Sequence, residues 1–324
     1  MISNLKNHIV QSDVWGLFKR QMGTPVVKVG EIQFTKHKIP GTPFYVGYAP
    51  KVNFFEQKFS WIELKKIAKS EKCAFIRFDV PNVLQDSSEN SPSQRLISEL
   101  NSKCKKSPRR TFTKWNVLLD LSVPEDVLQS NMSQKTRYNS RLAAKKGVIV
   151  KIENTEKGIK IFQDLHAQTA KRQCFLPHSR EYYTKAFNTL FENKMANILV
   201  AYYEDEPVAS WMIFNYDGTL YYPFGGSGND NRNLMASNLM AWEAIKLGKS
   251  LDCKLFDMWG ATSDKLHPYW GFTKFKLGYG GDLVEYIDSY DFVINFPIYF
   301  LFNTLYGGFW KLRDFMSGFI NKGK

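Results

Sequence analysis

Residues 197–224, NILVAYYEDEPVASWMIFNYDGTLYYPF, decide the fold of the second half of the chain. Their apolar and aromatic runs, broken by short polar turns, predict consecutive strands at 197–203, 207–216 and 219–224. Outward from these strands, the pattern predicts a strand at 148–153, helices at 157–171, 180–194 and 236–250, and a strand at 254–259. The second half is therefore expected to mix α and β structure.

The order of these elements, with one strand, two helices, three strands, a helix and a further strand, resembles the N-acetyltransferase (GNAT-like) fold. In that fold a splayed sheet exposes a backbone notch to an acyl donor. The first third of the chain also alternates strand and helix patterns: strands at 25–29, 32–35, 43–48 and 73–78, and helices at 61–68 and 93–103. The expected fold class is α/β (α+β).

The segment between the two halves carries start and stop signals for helices. After a strand at 115–121, the sequence SVPE at 122–125 has the spacing of a capping box, which predicts a helix that begins there. A break near Ser133 is followed by a helical pattern through Lys146. Gly147 then suits the left-handed conformation in which many helices end.

Length and composition bound the function. A chain of 324 residues suits two domains, and 44% hydrophobic residues exclude a mainly disordered protein. Lysine and arginine exceed aspartate and glutamate by 44 − 31 = 13. This surplus favours a polyanionic partner, such as nucleic acid, a phosphorylated substrate or an anionic membrane, with a solvated basic face as the alternative.

The cysteines and the N-terminus indicate a reducing compartment. Four cysteines lie far apart without a C-x-x-C pair and are expected to be buried thiols: Cys73, Cys104, Cys174 and Cys253. No histidine stands at metal-ligand spacing, so no metal is predicted. The first residues lack the pattern of a signal peptide, and a cytoplasmic location is expected.

The stretch 292–310 contains no charged residue and is nearly long enough to cross a bilayer. Pro297 and the glycines at 307–308 interrupt it, which disfavours a membrane-spanning helix. Its aromatic content and the basic residues after it favour a helix that packs on the protein or lies at a membrane surface.

Three segments, taken together, resemble the FemABX family of peptidoglycan-bridge aminoacyltransferases. They are KTRYNSRLAAKKG at 135–147, the segment 165–183 with Arg172, and WGFTKFKLGYGG at 270–281. The last is similar to the family element G-x-x-x-F-K-x-x-F/Y-G-G. Three motifs in the right order are much more specific than one.

The resemblance implies two tandem GNAT-like domains. They would span 1–147, with the acceptor cleft, and 148–286, with the tRNA end and catalysis. The aromatic helical segment 287–324 would return to the first domain. The resemblance also implies an aminoacyl-tRNA as donor of glycine, alanine or serine. The implied acceptor is a peptidoglycan precursor, either lipid II or UDP-MurNAc-pentapeptide. The chain lacks the long helical arm of some members, which favours a FemX-like monomer.

Lys276 and Phe275 are the predicted catalytic residues. Attack of an amine on an aminoacyl ester builds negative charge on the carbonyl oxygen, and a nearby cation stabilises it. The resemblance assigns Lys276 to this charge or to the tRNA end, and Phe275 could stack on the terminal adenine. The alternative is an amphipathic strand with Lys276 in solvent. Acyl transfer from an ester to an amine needs no cofactor, and none is predicted.

Five residues match family positions in or near the acceptor site: Lys19, Asp79, Arg172, Tyr222 and Phe224. Lys19 and Arg172 suit phosphate binding, although a solvated helix face is an alternative for Lys19. Asp79 could equally cap a loop after a strand. Tyr222 and Phe224 replace a family Tyr-x-Tyr pair, so any hydroxyl role at the second position is lost or is taken over elsewhere.

Arg137, Arg141 and Lys145 recur every four residues and would form one cationic stripe on a helix. Like charges at this spacing repel by roughly 0.2–0.5 kcal/mol per pair. A tRNA backbone would remove this cost, and a solvated face is the alternative. The basic cluster at 103–114 could extend the stripe.

Two rival functions remain open at this point. One is a GNAT-fold acyltransferase that uses an acyl-CoA, but residues 226–236, GSGNDNRNLMA, lack the short glycine-rich turn that binds pyrophosphate. The other is a non-catalytic RNA- or membrane-binding module. Retention of the Phe275-Lys276 pair argues against it.

Overall fold

A computed structural model of the chain describes residues 6–84, 88 and 91–306. Its strands are β1 (Val26–Val29), β2 (Ile32–Lys38), β3 (Tyr45–Pro50), β4 (Cys73–Asp79), β5 (Lys105–Lys106), β6 (Trp115–Asp120), β7 (Ile149–Ile152), β8 (Ala196–Tyr203), β9 (Glu206–Tyr216), β10 (Thr219–Ser227), β11 (Leu255–Ala261), β12 (Asp282–Glu285) and β13 (Tyr290–Val293). Its helices are α1 (Asp13–Gln21), α2 (Trp61–Ser70), α3 (Pro92–Lys103), α4 (Glu125–Asn131), α5 (Gln134–Lys145), α6 (Glu156–Gln173), α7 (Arg180–Glu192), α8 (Ala236–Ser250), α9 (Trp270–Leu277) and α10 (Phe296–Leu301). Short 3₁₀ turns at Ile9–Gln11 and Arg232–Leu234, and a π turn at Phe302–Tyr306, complete the described elements.

The chain divides into two compact units. The seven-stranded unit comprises Met1–Gly23, Val83–Gln85 and Phe112–Tyr286, and the six-stranded unit comprises Thr24–Asn82, Asp86–Thr111 and Ile287–Lys324. Residues of the predicted first domain, 1–147, belong to both units. The predicted domain division at residues 147 and 286 therefore stays a prediction, and the units are described by their strands.

The sheet of the six-stranded unit has the order β1-β2-β3-β4-β13-β5, with β3 and β4 parallel. Helices α2 and α3 bury Leu64 and Leu100 in its core. The short helix α10 packs on β4, where the Tyr299 ring meets Phe75 at 5.1 Å. Helix α10 thus packs on a strand of the predicted first domain, as expected for a returning C-terminal helix, and residues 307–324 lie outside the described residues. No described helix is long and apolar enough to cross a membrane.

The sheet of the seven-stranded unit has the order β12-β6-β11-β10-β9-β8-β7, with β10 and β11 parallel. Successive residues of β9 point to opposite faces, as the pleat requires. Trp211 and Ile213 join the core under α5 and α8, whereas Met212 and Phe214 join the core under α1, α6 and α7. The predicted mixed α/β architecture is therefore confirmed, with helices on both faces of this sheet.

The helix signals of the middle segment have different outcomes. Ser133 caps α5 by accepting from the Thr136 amide, and Gly147 follows the helix with φ of 90°, as predicted. The predicted capping box at 122–125 is wrong. Helix α4 begins after Pro124, and the Ser122 hydroxyl donates to the Asp120 carboxylate at 2.5 Å. A nearer acceptor thus displaces Ser122 from the helix terminus.

The prediction of four buried thiols is wrong for one cysteine. Cys73, Cys104 and Cys253 are buried, whereas Cys174 is exposed. Cys174 follows α6 in the left-handed conformation, with φ of 55°, and this turn carries its side chain out of the core. Among the described residues, no group of three His, Cys, Asp or Glu side chains could hold a metal ion.

Candidate active site

The parallel strands β10 and β11 separate halfway along their length. They pair from Thr219 with Leu255 to Tyr221 with Asp257, and no further. Beyond this point, each strand has an irregular register with its other neighbour, between Tyr221 and Phe224 on β10 and between Asp257 and Gly260 on β11. The strands therefore leave an opening in the centre of the sheet.

A cavity of about 380 Å³ lies at this opening, a volume in the range of small-molecule sites. Two of its sides are formed by the glycines of β10, Gly225 and Gly226, and by residues of α9. Gly226 has no room for a side chain because a Cβ atom would meet the backbone of Leu165 and His166 on α6. The glycine thus allows α6 to approach the strand at the cavity.

Lys276 reaches the cavity from α9 and is only 8% exposed. Its Nζ donates to the carbonyl oxygens of Gly260 at 2.6 Å and Trp259 at 3.4 Å. Burial lowers the pKa of Lys276 to about 8, and the negative charge of Asp257 opposes this fall. The alternative of an amphipathic strand with Lys276 in solvent is wrong, because the residue lies on a helix and is buried.

Phe275 lines the same cavity and is half-buried. Its ring packs edge-on against Trp211 at 6.5 Å and Tyr279 at 5.4 Å. These neighbours fix the ring beside Lys276. The structure thus brings the two predicted catalytic residues to one cavity.

Tyr222 and Phe224 lie two residues apart on β10 but serve different surroundings. The Tyr222 ring stacks on Trp211 at 3.6 Å and lines the cavity, and burial raises its pKa. Phe224 packs instead on Tyr183 at 5.2 Å and His178 at 6.0 Å, in the core on the other face of the sheet. Only Tyr222 of this predicted pair lines the cavity.

Arg172, on α6, also lines the cavity, but protein atoms already bind much of its guanidinium. Its two terminal nitrogens donate to the Asn229 side chain at 2.6 Å and to the Ser227 hydroxyl at 2.9 Å. Its Nε is buried and has no hydrogen-bond partner among the described residues. Burial lowers the pKa of Arg172, and the nearby charge of Arg232 acts in the same direction.

Lys19, on α1, lies outside the cavity lining, within a group of aromatic rings. Its Nζ is 4.9 Å from the centre of the Tyr182 ring, 5.2 Å from that of Phe18 and 5.7 Å from that of Trp15. Burial lowers the pKa of Lys19. Cation–π contacts compensate for part of this lost hydration, and the alternative of a solvated helix face is wrong because the ammonium is partly buried.

Asp79 is fully buried at the end of β4 in the six-stranded unit. Its carboxylate accepts hydrogen bonds from the Ser289 hydroxyl at 2.5 Å, the Tyr48 hydroxyl at 2.6 Å and the Thr111 amide at 2.8 Å. Burial and the Asp79 charge raise the pKa of Tyr48 well above its ordinary value. These bonds tie β4 to its neighbours, and the predicted acceptor role of Asp79 stays a prediction.

The three cations of the predicted stripe on α5 differ in their contacts, and the stripe stays a prediction. Arg137 donates to carbonyl groups at the end of α4, that of Ser130 at 2.7 Å and that of Met132, the residue after the helix, at 2.6 Å. Arg137 and Arg141 line a second cavity of about 240 Å³, but Lys145 does not. In the basic cluster predicted at 103–114, Lys106 and Arg110 form ion pairs with Asp288, both at 3.2 Å.

Sequence reasoning missed several residues that shape the site. Asp257 is fully buried on β11, and a charged residue inside the apolar run 255–261 was the signal that could have found it. His166 lies within the motif segment 165–183, but its position there does not indicate its role. Its Nδ1 lies 2.9 Å from the Gly225 carbonyl oxygen and its Nε2 lies 2.9 Å from the Tyr183 hydroxyl. It therefore fixes the glycine segment that borders the cavity.

The chain matches a model of the FemAB family over residues 3–206 and 197–307. A lipid II:glycine glycyltransferase of Staphylococcus epidermidis is 22% identical over 342 residues, covering 84% of this chain and 82% of that protein. Another from Staphylococcus haemolyticus is 25% identical over 351 residues with the same coverage. Among solved structures, FemX matches with a TM-score of 0.77 and 18% identity, covering 91% of this chain and 94% of that one.

Proposed function

Because the chain belongs to the FemAB family, we propose that it moves an aminoacyl group from a charged tRNA onto the peptide amine of a peptidoglycan precursor. The family, the α/β fold and the enzyme class of acyl transfer are confirmed as predicted from the sequence. The staphylococcal relatives are named for glycine and lipid II, which supports these two substrates for this chain. Alanine or serine as the amino acid, and UDP-MurNAc-pentapeptide as the acceptor, are the alternatives.

The buried ammonium of Lys276 carries this proposal. The acceptor amine attacks the ester carbonyl, a C–N bond forms, and the C–O bond to the ribose breaks while the ribose oxygen leaves with a proton. Negative charge develops on the carbonyl oxygen during attack, and one preorganised donor there is worth about 3 kcal/mol. Lys276 is buried but lines the cavity, and two backbone carbonyls fix the position of its Nζ. This geometry suits such a donor.

The acceptor and donor have different proposed contacts. Arg172 and Tyr222 line the cavity of Lys276, and we propose that both bind the acceptor, Arg172 through an acceptor phosphate. Lys19 is proposed to bind acceptor phosphate farther from this cavity. We also propose that Asp79 and Phe224 contribute to acceptor binding. Substitution of each residue would test this role.

The tRNA backbone is proposed to contact the exposed residues of α5. Arg141 and Lys145 are exposed there, whereas Arg137 is engaged with the carbonyl groups of α4. Arg141 and Lys145 are therefore the better candidates for phosphate contacts, and Arg137 supports them by fixing α4. Such contacts act through charge and do not read sequence.

A monomer in the cytoplasm with peripheral membrane contact is the proposed working state. A lipid-linked acceptor would require the protein to work at a membrane surface. Helix α10 exposes 52% of Phe296 and 61% of Phe300, two aromatic side chains on one short helix. Aromatic residues of this kind favour the membrane interface.

An acyl-CoA-dependent reaction is the nearest rival, and the segment before α8 disfavours it. Pyrophosphate binding needs free amide groups at a helix N-terminus. Here the amides of Leu234 and Met235 donate to the carbonyls of Asn231 and Arg232. The segment is thus folded on itself as a 3₁₀ turn where CoA would require open donors.

The proposal can be tested with radiolabelled glycyl-, alanyl- and seryl-tRNA, each offered with lipid II in vesicles or with UDP-MurNAc-pentapeptide. We expect label in lipid II from glycyl-tRNA, with the product identified by mass. Lys274→Met, an exposed lysine on the same helix, is the matched control for Lys276→Met. Absence of label in every combination, with transfer from acetyl-CoA instead, would contradict the proposal.

A further inference from the structure

Asp257 is a buried carboxylate next to the opening between β10 and β11. Its Oδ1 accepts from the Trp259 amide at 2.7 Å, and the Asn116 side-chain amide on β6 donates to both oxygens at 2.8 and 3.0 Å. Buried carboxylates are tolerated where such donors and a nearby positive charge compensate for lost hydration. Around Asp257, the Trp259 amide and the Asn116 side chain are such donors, and the Lys276 ammonium is the nearby positive charge.

The hydrogen bond to Trp259 shapes the backbone that holds Lys276. Trp259 has φ of 68°, a left-handed conformation that a bulky side chain rarely adopts. The pairing of β11 with β6 is interrupted between Asp257 and Gly260. Within this irregular segment, the carbonyls of Trp259 and Gly260 accept from the Lys276 ammonium. Asp257 therefore binds the backbone segment whose carbonyl groups accept from the Lys276 ammonium.

We propose that Asp257 is a positioning residue that keeps Lys276 cationic and directed at the cavity, through the Trp259–Gly260 carbonyls and through its own negative charge. The proposal rests on the proposed function for its role in transfer. Its physical content, a coupling between two buried charges, can be measured without a substrate.

The electrostatic surroundings agree with this geometry. Burial lowers the pKa of Lys276 to about 8, whereas the Asp257 charge raises it. Further charged or titratable groups among the described residues lie around these two: near the cavity Arg172 from α6, Arg232 from the 3₁₀ turn, Tyr222 from β10 and Tyr279 after α9, and near Asp257 His8, Tyr221 and Tyr286. Arg172 and Arg232 line the same cavity as Lys276, and loss of Asp257 would remove the negative charge that opposes the effect of burial on Lys276. The pKa of Lys276 should then fall further, and a larger fraction of its amine should be neutral at pH 7.

The first test is competitive labelling of lysines with acetic anhydride across a pH series, because only the neutral amine reacts. We expect Asp257→Asn to lower the midpoint for Lys276 by roughly one pH unit. Lys274, exposed on the same helix, is the internal reference and should label identically in both proteins. Asp282→Asn, an exposed aspartate of the same unit, is the control variant and should leave the Lys276 midpoint unchanged. An unchanged midpoint in folded Asp257→Asn protein would overturn the proposal.

A double-mutant cycle decides the question even where Asp257→Asn folds poorly. Asp257→Asn leaves a buried ammonium without its counter-charge, so adding Lys276→Met should recover part of the lost thermal stability. Additive losses of melting temperature in the double variant would show that Asp257 supports the fold alone, and the proposal would fail.

Transfer assays then separate the two levels of inference. If wild type transfers glycine, the alkaline limb of its rate should move to lower pH in Asp257→Asn by the same shift as the labelling midpoint. If no charged tRNA supports transfer in wild type, the proposed function fails. In that case, the labelling shift and the stability recovery would still establish the coupling of Asp257 to Lys276.

Discussion

The two parallel strand pairs among the described residues differ in how far they stay paired. In the six-stranded unit, β3 and β4 pair from Tyr45 with Cys73 to Pro50 with Asp79. In the seven-stranded unit, the pairing of β10 with β11 ends at Tyr221 and Asp257. Both pairings end at a buried aspartate, so the difference lies in what each carboxylate binds.

Asp79 accepts from Tyr48 on the neighbouring strand β3, and this hydrogen bond joins the pair at its end. Asp257 accepts from Trp259 of its own strand and from Asn116 on the far side, away from β10. The first carboxylate closes its strand pair, whereas the second bends its strand and leaves room for Lys276. The direction of one buried carboxylate can thus decide whether a parallel strand pair forms a site.

The largest expected effect comes from removing the Lys276 cation beside the opening between β10 and β11. Lys276→Met should lower kcat for aminoacyl transfer by roughly 10²–10³-fold, because the developing oxyanion loses its donor. The folded state should persist, since Met fills similar volume without a buried charge. Transfer rates with glycyl-tRNA and lipid II, together with circular dichroism, measure both. Wild-type activity in this variant would remove Lys276 from the mechanism.

The pH dependence of transfer should follow the protonation of Lys276. Burial lowers its pKa to about 8, so the cation required for catalysis is present below this pH and is lost above it. We expect the rate to fall above pH 8 by about tenfold per pH unit. Spontaneous hydrolysis of the aminoacyl ester must be subtracted at each pH. A rate that stays constant up to pH 10 would contradict the assignment.

The β10–β11 pair can also be disturbed through Gly226 of β10. Gly226→Ala would drive a Cβ atom into the backbone of α6 at Leu165 and His166, which cannot move aside cheaply. We expect the free energy of unfolding to fall by about 3 kcal/mol. Gly228→Ala is the matched control, because its nearest atoms would be 3.8 Å away. Urea denaturation compares the two, and equal stabilities would argue against the tight contact.

At the end of the β3–β4 pair, substitution of Asp79 should lower the stability of the protein. Asp79→Asn replaces a charged acceptor of Tyr48, Ser289 and Thr111 and should cost about 2 kcal/mol in the free energy of unfolding. Steady-state kinetics tests its proposed acceptor role. A higher KM for lipid II with an unchanged KM for glycyl-tRNA would support that role, whereas a stability loss alone would leave Asp79 as a tie between strands.

The smallest effect is expected outside both pairs, on α5. Arg141→Ala should raise the KM for glycyl-tRNA by up to about fivefold, since one exposed contact contributes about 1 kcal/mol or less. The increase should shrink at higher salt. An identical KM at low salt would argue against the proposed tRNA contact. Arg137→Ala, in contrast, should lower thermal stability because it frees the carbonyls of α4.

Much of this architecture could be predicted because local patterns determine it. The sequence pattern predicts a helix at 236–250 and α8 spans those residues, and the central strands lie where their apolar runs indicate. The capping box failed because Asp120, two residues earlier, competes for Ser122. Lys276 was found through a motif, but its helix and its burial depend on contacts with β11, which no local pattern encodes.

The bend at Trp259 could not be predicted for a similar reason. A left-handed tryptophan is unfavourable by itself and persists because Asp257 and Asn116, from two different strands, hold the segment. Sequence reasoning assigns such conformations to glycine. The core of the candidate site therefore depends on a tertiary arrangement, whereas the sheets around it follow from periodicity.

The exposed turn after α6 gives the protein a single chemical handle for spectroscopy. Burial raises the pKa of Cys73 and Cys253 to about 11 and that of Cys104 to about 12, so these thiols stay protonated and shielded at neutral pH. Cys174 is exposed and follows Arg172 and Gln173 of the cavity lining. A maleimide dye should attach there without engineered cysteines, because thiolates react and buried thiols do not. Its fluorescence would report substrate entry in real time on the native sequence.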